Sequence, residues 1–466
     1  MKRWQITTGL MGLALGALFL APRLFAHLEA PAYDPPPVPE SLPPPTAPQG
    51  HDGHLEVTTR IDQRAILAGD RSDRFVTVEV VGLDAIHGDA VRRPLDVAVV
   101  LDASGSMKDG KLDQAIRATV DLAASLTPAD TLSVVAFSGQ ARVLLSAEAM
   151  RHPSAVAQTL ADLHAHGGTN LYAGIELGAR SLAHRPGATQ HLLVLSDGNA
   201  TEGETRAERF AALASQLTSE RVSLSTVGLG STYNEDLLAT LADLGGGRYA
   251  DVATAGEIAR VFDETFARSS TLLAQGARVD LLLPEGLEPV DLLGWTGQRI
   301  DGGWSVYLGD VSAGERRKIV VRARPTGALT GPQPVTARLT YHDVLDRLAA
   351  DETHSTDVRT TQDAAEAQRS FDPGVAALGR RTYGNWYLEM ATRTYADGNR
   401  AQSLDLLDKG RQVLEQAAEE LPMPEVEIDL RRFDDSRGLY ERQAPSAPAA
   451  QRHVKKTKDS FRALAR

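Results

Sequence analysis

Three short side chains that carry oxygen lie at alternate positions, Asp102, Ser104 and Ser106, directly after the apolar run DVAVVL. Such a run predicts a buried strand of a parallel sheet, and ligand sites of these sheets lie where the strands end. Gly105 allows the loop to bend tightly enough for both serine hydroxyls to point toward one place. The pattern therefore predicts a cluster of oxygen ligands at the carboxyl end of this strand.

Two later segments place oxygen-bearing side chains at the same predicted edge. Thr169 belongs to the segment GGTN, ahead of a helix predicted to start at Leu171, and Asp197 ends the apolar run HLLVLSD. Two carboxylates and three hydroxyls, without imidazole or thiolate, suit Mg²⁺ or Mn²⁺, with Ca²⁺ as a further candidate. Ser, Asp and Gly are also common capping residues at strand-to-helix junctions, so the first segment alone leaves both interpretations open. Agreement among three segments favours a metal site.

A serine hydrolase is a weaker interpretation of the same residues. As a nucleophile, Ser104 would need a histidine base, and His164 and His166 lie shortly before Thr169. However, the sequence has no G-x-S-x-G segment, and a hydroxyl that binds a divalent cation is a ligand rather than a base-activated nucleophile. We therefore predict no catalytic residue and expect that the protein is not an enzyme.

The composition excludes several other classes of protein. The 466 residues leave room for two or three domains, and 42% hydrophobic with 24% charged residues is close to the average of soluble globular proteins. The net charge of -12 has the wrong sign for broad binding of nucleic acid. The absence of cysteine excludes disulfides, thiolate zinc sites and cysteine nucleophiles.

The first residues have the layout of an export signal, because Lys2 and Arg3 precede an uncharged stretch whose apolar part is residues 6–21. We therefore expect an exported protein, in the periplasm or cell envelope or secreted. The apolar part spans about 24 Å as a helix, less than the roughly 30 Å hydrocarbon core, which favours cleavage of residues 1–26. An uncleaved anchor in the inner membrane stays open, and it would be the protein's only membrane contact. Residues 27–53 are rich in proline and predict a stiff, extended linker.

The rest of the chain alternates between two kinds of sheet pattern. Residues 54–93 and 275–360 show apolar residues at every second position, as antiparallel strands with one buried face do. Between residues 94 and 272, Val- and Leu-rich runs alternate with amphipathic stretches, which predicts an α/β unit with a doubly wound, mostly parallel sheet. We therefore predict that this α/β unit is inserted in an antiparallel β-sandwich.

The C-terminal part predicts helices and then disorder. Within residues 361–422, a helical hairpin is expected, with helices at Val375–Tyr395 and Ala401–Leu421 on either side of the turn Asp397-Gly398-Asn399. Residues 423–466 are polar and end in a basic segment, and we expect them to be disordered.

Several segments of the α/β unit resemble the von Willebrand factor type A (VWA) family. They are VVLDASGSMKDGKLDQA, SVVAFS, GGTNLYAGI, LLVLSDGNATEGE and STVGLGSTYNEDLLATLADLGGGRYADV, in the order found in the family. The resemblance covers residues 94–272 and includes all five positions of the family's metal-ion-dependent adhesion site. With its flanking strands, the chain is similar to the bacterial branch related to inter-alpha-trypsin inhibitor heavy chains and calcium-activated chloride channel homologues.

The resemblance implies a role for each residue at these five positions. Ser104 and Ser106 would bind the metal through their hydroxyls, and Thr169 would bind it directly or through water. Asp102 and Asp197 would hold metal-bound waters or bind directly, and a carboxylate of a partner protein would fill the exchangeable position. The residues expected to ring the metal are Met107, Lys108, Asp109, Asn170, Tyr172, Asn199 and Glu202.

Two functions follow as hypotheses. The first is an exported protein that captures an acidic residue of a partner protein through a bound divalent cation, most simply Mg²⁺. The second is an envelope scaffold or assembly factor, with a structural metal site and a helical hairpin that contacts the partner. Neither hypothesis includes binding of nucleic acid.

Overall fold

The computed structural model describes residues 53–83, 93–149, 153–197, 200–230, 233–252, 271–327, 329–421 and 423–465, with a few positions between 257 and 268. The predicted export signal (1–26), nearly all of the predicted linker (27–53) and Asn199 lie outside the described residues. No helix among the described residues is long and apolar enough to cross a membrane.

The described residues contain strands that belong to three sheets. Their bounds are β1 Leu55–Ile61, β2 Ala65–Leu67, β3 Arg74–Gly82, β4 Leu95–Asp102, β5 Thr131–Phe137, β6 Ala141–Ala149, β7 Thr189–Ser196, β8 Val222–Leu229, β9 Gly246–Val252, β10 Leu272–Leu282, β11 Leu287–Leu293, β12 Gly297–Ile300, β13 Gly303–Ser312, β14 Arg316–Pro325, β15 Gln333–Asp343 and β16 Ala349–Thr361.

Two of these sheets form a sandwich, and the chain leaves it after β3 and returns to it at β10. One sheet has the order β1-β3-β14-β11 and the other β12-β13-β10-β15-β16-β2. All neighbours in both sheets are antiparallel except β16 and β2. Their inner faces share one apolar core, which alternate residues such as Val76, Val78 and Val80 of β3 build together with Val279 and Leu281 of β10. The predicted insertion into a sandwich is confirmed.

The third sheet has the order β6-β5-β4-β7-β8-β9, and only its edge strand β6 runs antiparallel to its neighbour. Five helices are described beside it, α1 Lys111–Ser125, α2 Pro153–Leu160, α3 Leu171–Arg180, α4 Ala207–Ser219 and α5 Glu235–Leu244.

These helices cover the two faces of the third sheet, and β4 shows how they do so. Leu95, Val97, Val99 and Leu101 pack with α1 and α2, whereas Ala98 and Val100 face the core that contains α3, α4 and α5. Successive side chains of a strand point to opposite faces, so a continuous apolar run is needed where both faces are covered. The predicted doubly wound α/β fold is confirmed.

The C-terminal region contains a further group of helices. Their bounds are α6 Ala364–Arg369, α7 Pro373–Ala396, α8 Arg400–Glu420, α9 Val426–Arg442 and α10 Pro448–Ala465. The hairpin of α7 and α8 agrees with the prediction to within two residues at each end, and Asp372 and Asn399 cap the two helices with their side chains.

The expectation that residues 423–466 are disordered is wrong for the described part of this segment. Helices α9 and α10 pack into the core of the hairpin, where Phe433, Tyr440 and Ala450 are buried. The aromatic rings of Tyr395 and Tyr440 stack with their centroids 4.0 Å apart. The segment is polar on average, but its few apolar residues are sufficient to order it because the helical hairpin supplies the rest of the core.

Candidate metal centre

Asp102 lies at the end of the central strand β4 and is completely buried. One of its carboxylate oxygens accepts a hydrogen bond from the backbone N–H of Ser104 (2.8 Å), and the other accepts one from the hydroxyl of Ser196 (2.6 Å). The first bond folds the chain back on itself directly after the strand, which presents Ser104 and Ser106 above the carboxylate. The position of Asp102 is therefore set by the strand, the loop and the neighbouring strand β7.

A continuous row of oxygen atoms extends from this loop to β7. The hydroxyl of Ser104 lies 2.9 Å from that of Ser106, and the hydroxyl of Ser106 donates to Asp197 Oδ1 at 2.7 Å. Asp197 follows β7 directly and its side chain is buried. The structure thus brings together four of the five predicted ligands, Asp102, Ser104, Ser106 and Asp197.

The fifth predicted ligand, Thr169, lies on a loop that is hydrogen bonded to the first. The N–H of Gly105 donates to the carbonyl of Gly167 (3.0 Å), and the N–H of His166 donates to the carbonyl of Ala103 (2.8 Å). Thr169 is 4% exposed, and its backbone pairs with Thr201 in both directions. In the described part of the chain, no hydrogen bond joins its hydroxyl to the other four side chains, so Thr169 is adjacent to the cluster but not yet linked to it.

Two nearby carboxylates, both buried, give the cluster a strongly negative character. Burial raises the pKa of Asp102, the hydrogen bonds from Ser104 and Ser196 oppose that effect, and the negative charge of Asp197 adds to it. No ion pair to Asp102 is present among the described residues. A buried carboxylate without a cationic partner is costly, and a bound cation would relieve that cost.

One positively charged group does reach the cluster, the ammonium of Lys111 in the first turn of α1. It forms an ion pair with Asp197 and donates a hydrogen bond to the carbonyl of Ser106 at 3.1 Å. The sequence analysis did not single out Lys111. A lysine at the start of a surface helix is common, so the sequence alone does not mark Lys111 as part of the cluster. Its contact with Asp197 does.

These residues fit a divalent cation with oxygen ligands. The donors are two carboxylates and two hydroxyls that already lie within hydrogen-bond distance of one another, with the Thr169 loop beside them. Hard cations such as Mg²⁺ prefer such a set, whereas imidazole and thiolate ligands are absent from the five positions.

Comparison with known proteins assigns this part of the chain to a family. Residues 96–264 match the family model of the von Willebrand factor type A domain. Residues 96–264 are a VWA domain. Domains of this family commonly bind a divalent cation.

Two relatives and one solved structure illustrate how far the similarity extends. An uncharacterized protein of Synechocystis is 27% identical over 241 residues, which cover 49% of this chain and 57% of that protein. Inter-alpha-trypsin inhibitor heavy chain H4 of Sus scrofa is 30% identical over 148 residues, 29% of this chain and 16% of that protein. A von Willebrand factor type A structure from Catenulispora acidiphila superposes with a TM-score of 0.61 at 18% identity. It covers 83% of this chain and 90% of its own, so the shared fold extends beyond the VWA domain.

The residues predicted to ring the metal differ in where the structure places them. Lys108, Asp109 and Glu202 are exposed beside the cluster, and the Glu202 side chain lies over Gly168, where an added Cβ would collide with it. The Asn170 side chain caps α3 by accepting a hydrogen bond from Ala173, and Tyr172 packs edge-on against Phe210 with ring centroids 5.6 Å apart. The side chains of Asn170 and Tyr172 therefore make contacts within the VWA domain.

The assignment of Met107 to the rim is wrong. Its side chain is completely buried in the core between the sheet and α1, together with Leu112 and Leu101. Ser104 to Met107 form a short 3-10 turn in which successive side chains point in different directions, so Met107 points inward while Ser106 points outward. Met107 anchors the ligand loop from below and does not contact a ligand from solvent.

The C-terminal helix α10 contacts the VWA domain next to this site. Lys455 lies over the ring of Tyr233 (3.4 Å to the centroid) and donates to the carbonyl of Gly230 at the end of β8. Lys458 and Arg462 form ion pairs with Asp236 (3.1 Å) and Glu235 (3.0 Å), both at the start of α5. The basic residues that suggested a disordered tail are therefore matched by acidic residues more than 200 positions earlier.

A second group of potential metal ligands, His54, Asp343 and Asp346, lies in the sandwich. Here Asp343 is already satisfied, because it accepts hydrogen bonds from the backbone of His54, Leu345 and Asp346 and from the His54 ring at 2.8 Å. These contacts stabilise the turn after β15 and tie it to the start of β1. They explain the group without an ion.

Proposed function

We propose that this protein is an exported interaction protein that captures an acidic side chain of a partner protein through a divalent cation, most simply Mg²⁺. The cation would be held by Asp102, Ser104, Ser106, Thr169 and Asp197. The observation that carries the proposal is the buried carboxylate of Asp102, which lies in a row of oxygen-bearing side chains and has no cationic partner among the residues that the structure describes.

The chain's own residues prepare this site in two ways. The hydrogen bonds from Ser104 and Ser196 fix the orientation of Asp102, so little ordering remains when a cation binds. The exposed Ser106 and the loop of Thr169 leave the outer side of the cluster open. A divalent cation bound there supplies a positive charge that is only partly neutralised and that attracts the carboxylate of a second molecule.

Export and envelope location are part of the proposal and depend on the sequence of residues 1–26. The apolar segment 6–21 after Lys2 and Arg3 supports export, by cleavage of a signal or by anchoring in the inner membrane. Cell fractionation combined with N-terminal sequencing of the mature protein tests this part. An intact N-terminus in the cytoplasmic fraction would contradict it.

The metal-binding part is tested by calorimetric titration of Mg²⁺, Mn²⁺ and Ca²⁺ into the wild-type protein and the Asp102→Ala variant. Asp113→Asn, an exposed carboxylate in the first turn of α1, is the matched control. We expect saturable binding at one site in the wild type and the control and its loss in Asp102→Ala. Equal binding in all three proteins would refute the assignment of the site.

Partner capture is tested with immobilised peptides that carry Asp or Glu and with matched peptides that carry Asn or Gln. We expect the wild type to bind the acidic peptides only, and only in the presence of the divalent cation. Binding that survives both a chelator and Asp102→Ala in a folded protein would instead support the scaffold hypothesis. The ion pair between Lys111 and Asp197 favours that second candidate, because it partly neutralises the cluster from within the molecule.

A further inference from the structure

A cleft of about 580 Å³ lies between the VWA domain and the sandwich, at the amino end of the parallel sheet. Its VWA wall is the turn between α4 and β8, and its sandwich wall is the outer face of β10, β13 and β15. The turn between β15 and β16 overhangs it with Arg347 and Leu348. A second depression of about 300 Å³ shares Arg221, Gln275, His342 and Arg347 with it. We refer to the two together as the interdomain cleft.

Six arginines from both domains line the interdomain cleft, although the chain carries a net charge of -12. Arg338 is paired with Asp351, Arg185 is paired with Asp96, and Arg93 donates to the carbonyl of Val344. For the other three, no hydrogen bond or ion pair of the guanidinium is found among the described residues. These three are Arg221, Arg278 and Arg347.

The acidic residues that line the cleft are fewer than its arginines; they are Glu220, Asp280 and Asp310. Asp280 accepts a hydrogen bond from Ser305 at 2.5 Å, and Asp310 accepts hydrogen bonds from Ser223 and from the N–H of Gly276 at 3.2 Å. Burial raises the pKa of Asp310 to about 6, so its negative charge is itself disfavoured. The cleft therefore has an excess of positive charge.

The cationic groups of the cleft act on one another's pKa values. Burial lowers the pKa of Arg93 and the charge of Arg347 lowers it further, whereas the charge of Asp343 opposes both effects. Burial also lowers the pKa of His342, and the charges of Arg221 and Arg93 add to this effect while the charge of Asp343 opposes it. An anion bound among these groups would remove the repulsion.

The backbone provides an independent observation. Within the described residues, four residues other than glycine have a positive φ, and three of them line the cleft: His184 (49°), Arg221 (61°) and Arg347 (59°). The fourth, Asp109 (62°), lies beside the metal cluster. Such conformations are strained for residues that carry a side chain, and they concentrate at ligand sites.

We propose that the interdomain cleft binds a small molecule with two or more anionic oxygen groups, phosphate or carboxylate. Arginine presents a planar fork that matches both groups, and here the arginines come from opposite walls. The volume lies in the range of small-molecule sites, and Tyr341, Leu348 and Ala349 supply apolar surface for the rest of such a ligand. This proposal is independent of the proposed metal-dependent capture of a partner protein.

The experiment is calorimetric titration of inorganic phosphate, pyrophosphate and citrate into the full chain at low ionic strength, without divalent cations. The variants are Arg278→Gln and the double variant Arg221→Gln, Arg347→Gln. The control is Arg316→Gln, which removes an exposed arginine of the opposite sheet that pairs with Glu79. Thermal unfolding of each variant establishes that it is folded.

We expect pyrophosphate or citrate to bind more tightly than phosphate, because only they can reach both walls. Loss of one arginine contact should weaken binding about tenfold or more, while the control retains wild-type affinity. Unchanged affinity in the cleft variants, or no saturable binding of any probe, would overturn the proposal. Binding to vesicles of anionic phospholipid without binding of the soluble anions would overturn the assignment to a small molecule.

Discussion

Two buried carboxylates on the same strand, Asp96 and Asp102, have opposite environments. Asp96, near the start of β4, accepts hydrogen bonds from the backbone and guanidinium of Arg185 (2.7 and 2.6 Å) and from Gln190 and Thr131. Asp102, at the end of β4, accepts hydrogen bonds from neutral groups of Ser104 and Ser196, no ion pair to it is found in the described part of the chain, and Asp197 is its charged neighbour. Both side chains are completely buried.

The pKa values of the two groups follow these environments. Burial acts to raise the pKa of Asp96, but the hydrogen bonds from Arg185, Gln190 and Thr131 outweigh it and lower the pKa. Burial raises the pKa of Asp102, and its hydrogen bonds do not outweigh that effect. The comparison teaches that a buried carboxylate is structural when the protein supplies its counter-ion, and is a candidate ligand when it does not.

The largest effect is expected for Asp96→Ala, which leaves Arg185, Gln190 and Thr131 without their shared acceptor. We expect the free energy of unfolding to fall by about 3 kcal/mol, as measured by urea denaturation. Asp102→Asn, which keeps the shape and removes a disfavoured charge, should change the metal-free stability by about 1 kcal/mol or less. Similar losses in both variants would show that the two carboxylates are equally structural.

A smaller effect is expected for Lys111→Met, which removes the positive charge beside Asp197. The cluster becomes more negative, so the affinity for Mg²⁺ or Mn²⁺ in calorimetry should rise about tenfold. Lys108→Met, an exposed neighbour on the same loop, serves as the control and should leave the affinity unchanged. A weaker affinity in Lys111→Met would mean that the lysine positions Asp197 for the ion and does not compete with it.

The smallest effect concerns Asp310, another buried carboxylate that is incompletely compensated, with Arg317 and Glu315 nearby. Its pKa rises from 3.8 to about 6 on folding. At pH values between these two, Asp310 is protonated in the folded protein and ionised in the unfolded chain. The free energy of unfolding therefore decreases as the pH rises through this window.

Asp310→Asn should flatten this decrease, as followed by denaturation at a series of pH values. It should not abolish the decrease, because burial also raises the pKa of Asp62 to about 6. Identical pH profiles for the wild type and Asp310→Asn would contradict the prediction.

Much of the fold could be predicted because its signals are local. The alternation in β3, the continuous apolar run of β4 and the turn Asp397-Gly398-Asn399 each determine an element from neighbouring residues. The C-terminal helices α9 and α10 could not be predicted in this way. Their order depends on partners far along the chain, such as Glu235 for Arg462 and Tyr395 for Tyr440.

The candidate metal site shows the same division. Asp102, Ser104, Ser106 and Asp197 could be identified because parallel strands bring their carboxyl ends to one edge whatever the details of packing. The direction of an individual side chain could not be identified, and Met107 therefore proved to be a core residue. The contact of Lys111 with Asp197 was likewise invisible, since it depends on how α1 lies against β7.

The sequence by itself determined the three-sheet organisation, the helical hairpin and the cluster of oxygen-bearing side chains at the carboxyl end of the central sheet, because periodicity and strand-end motifs are properties of short segments. Only the tertiary structure decided which of the two aspartates of β4 has a counter-ion. It also decided that Arg221, Arg278 and Arg347 meet in one cleft. These features depend on charges that come together from distant parts of the chain, and electrostatic energy depends on distance in space rather than on distance along the chain.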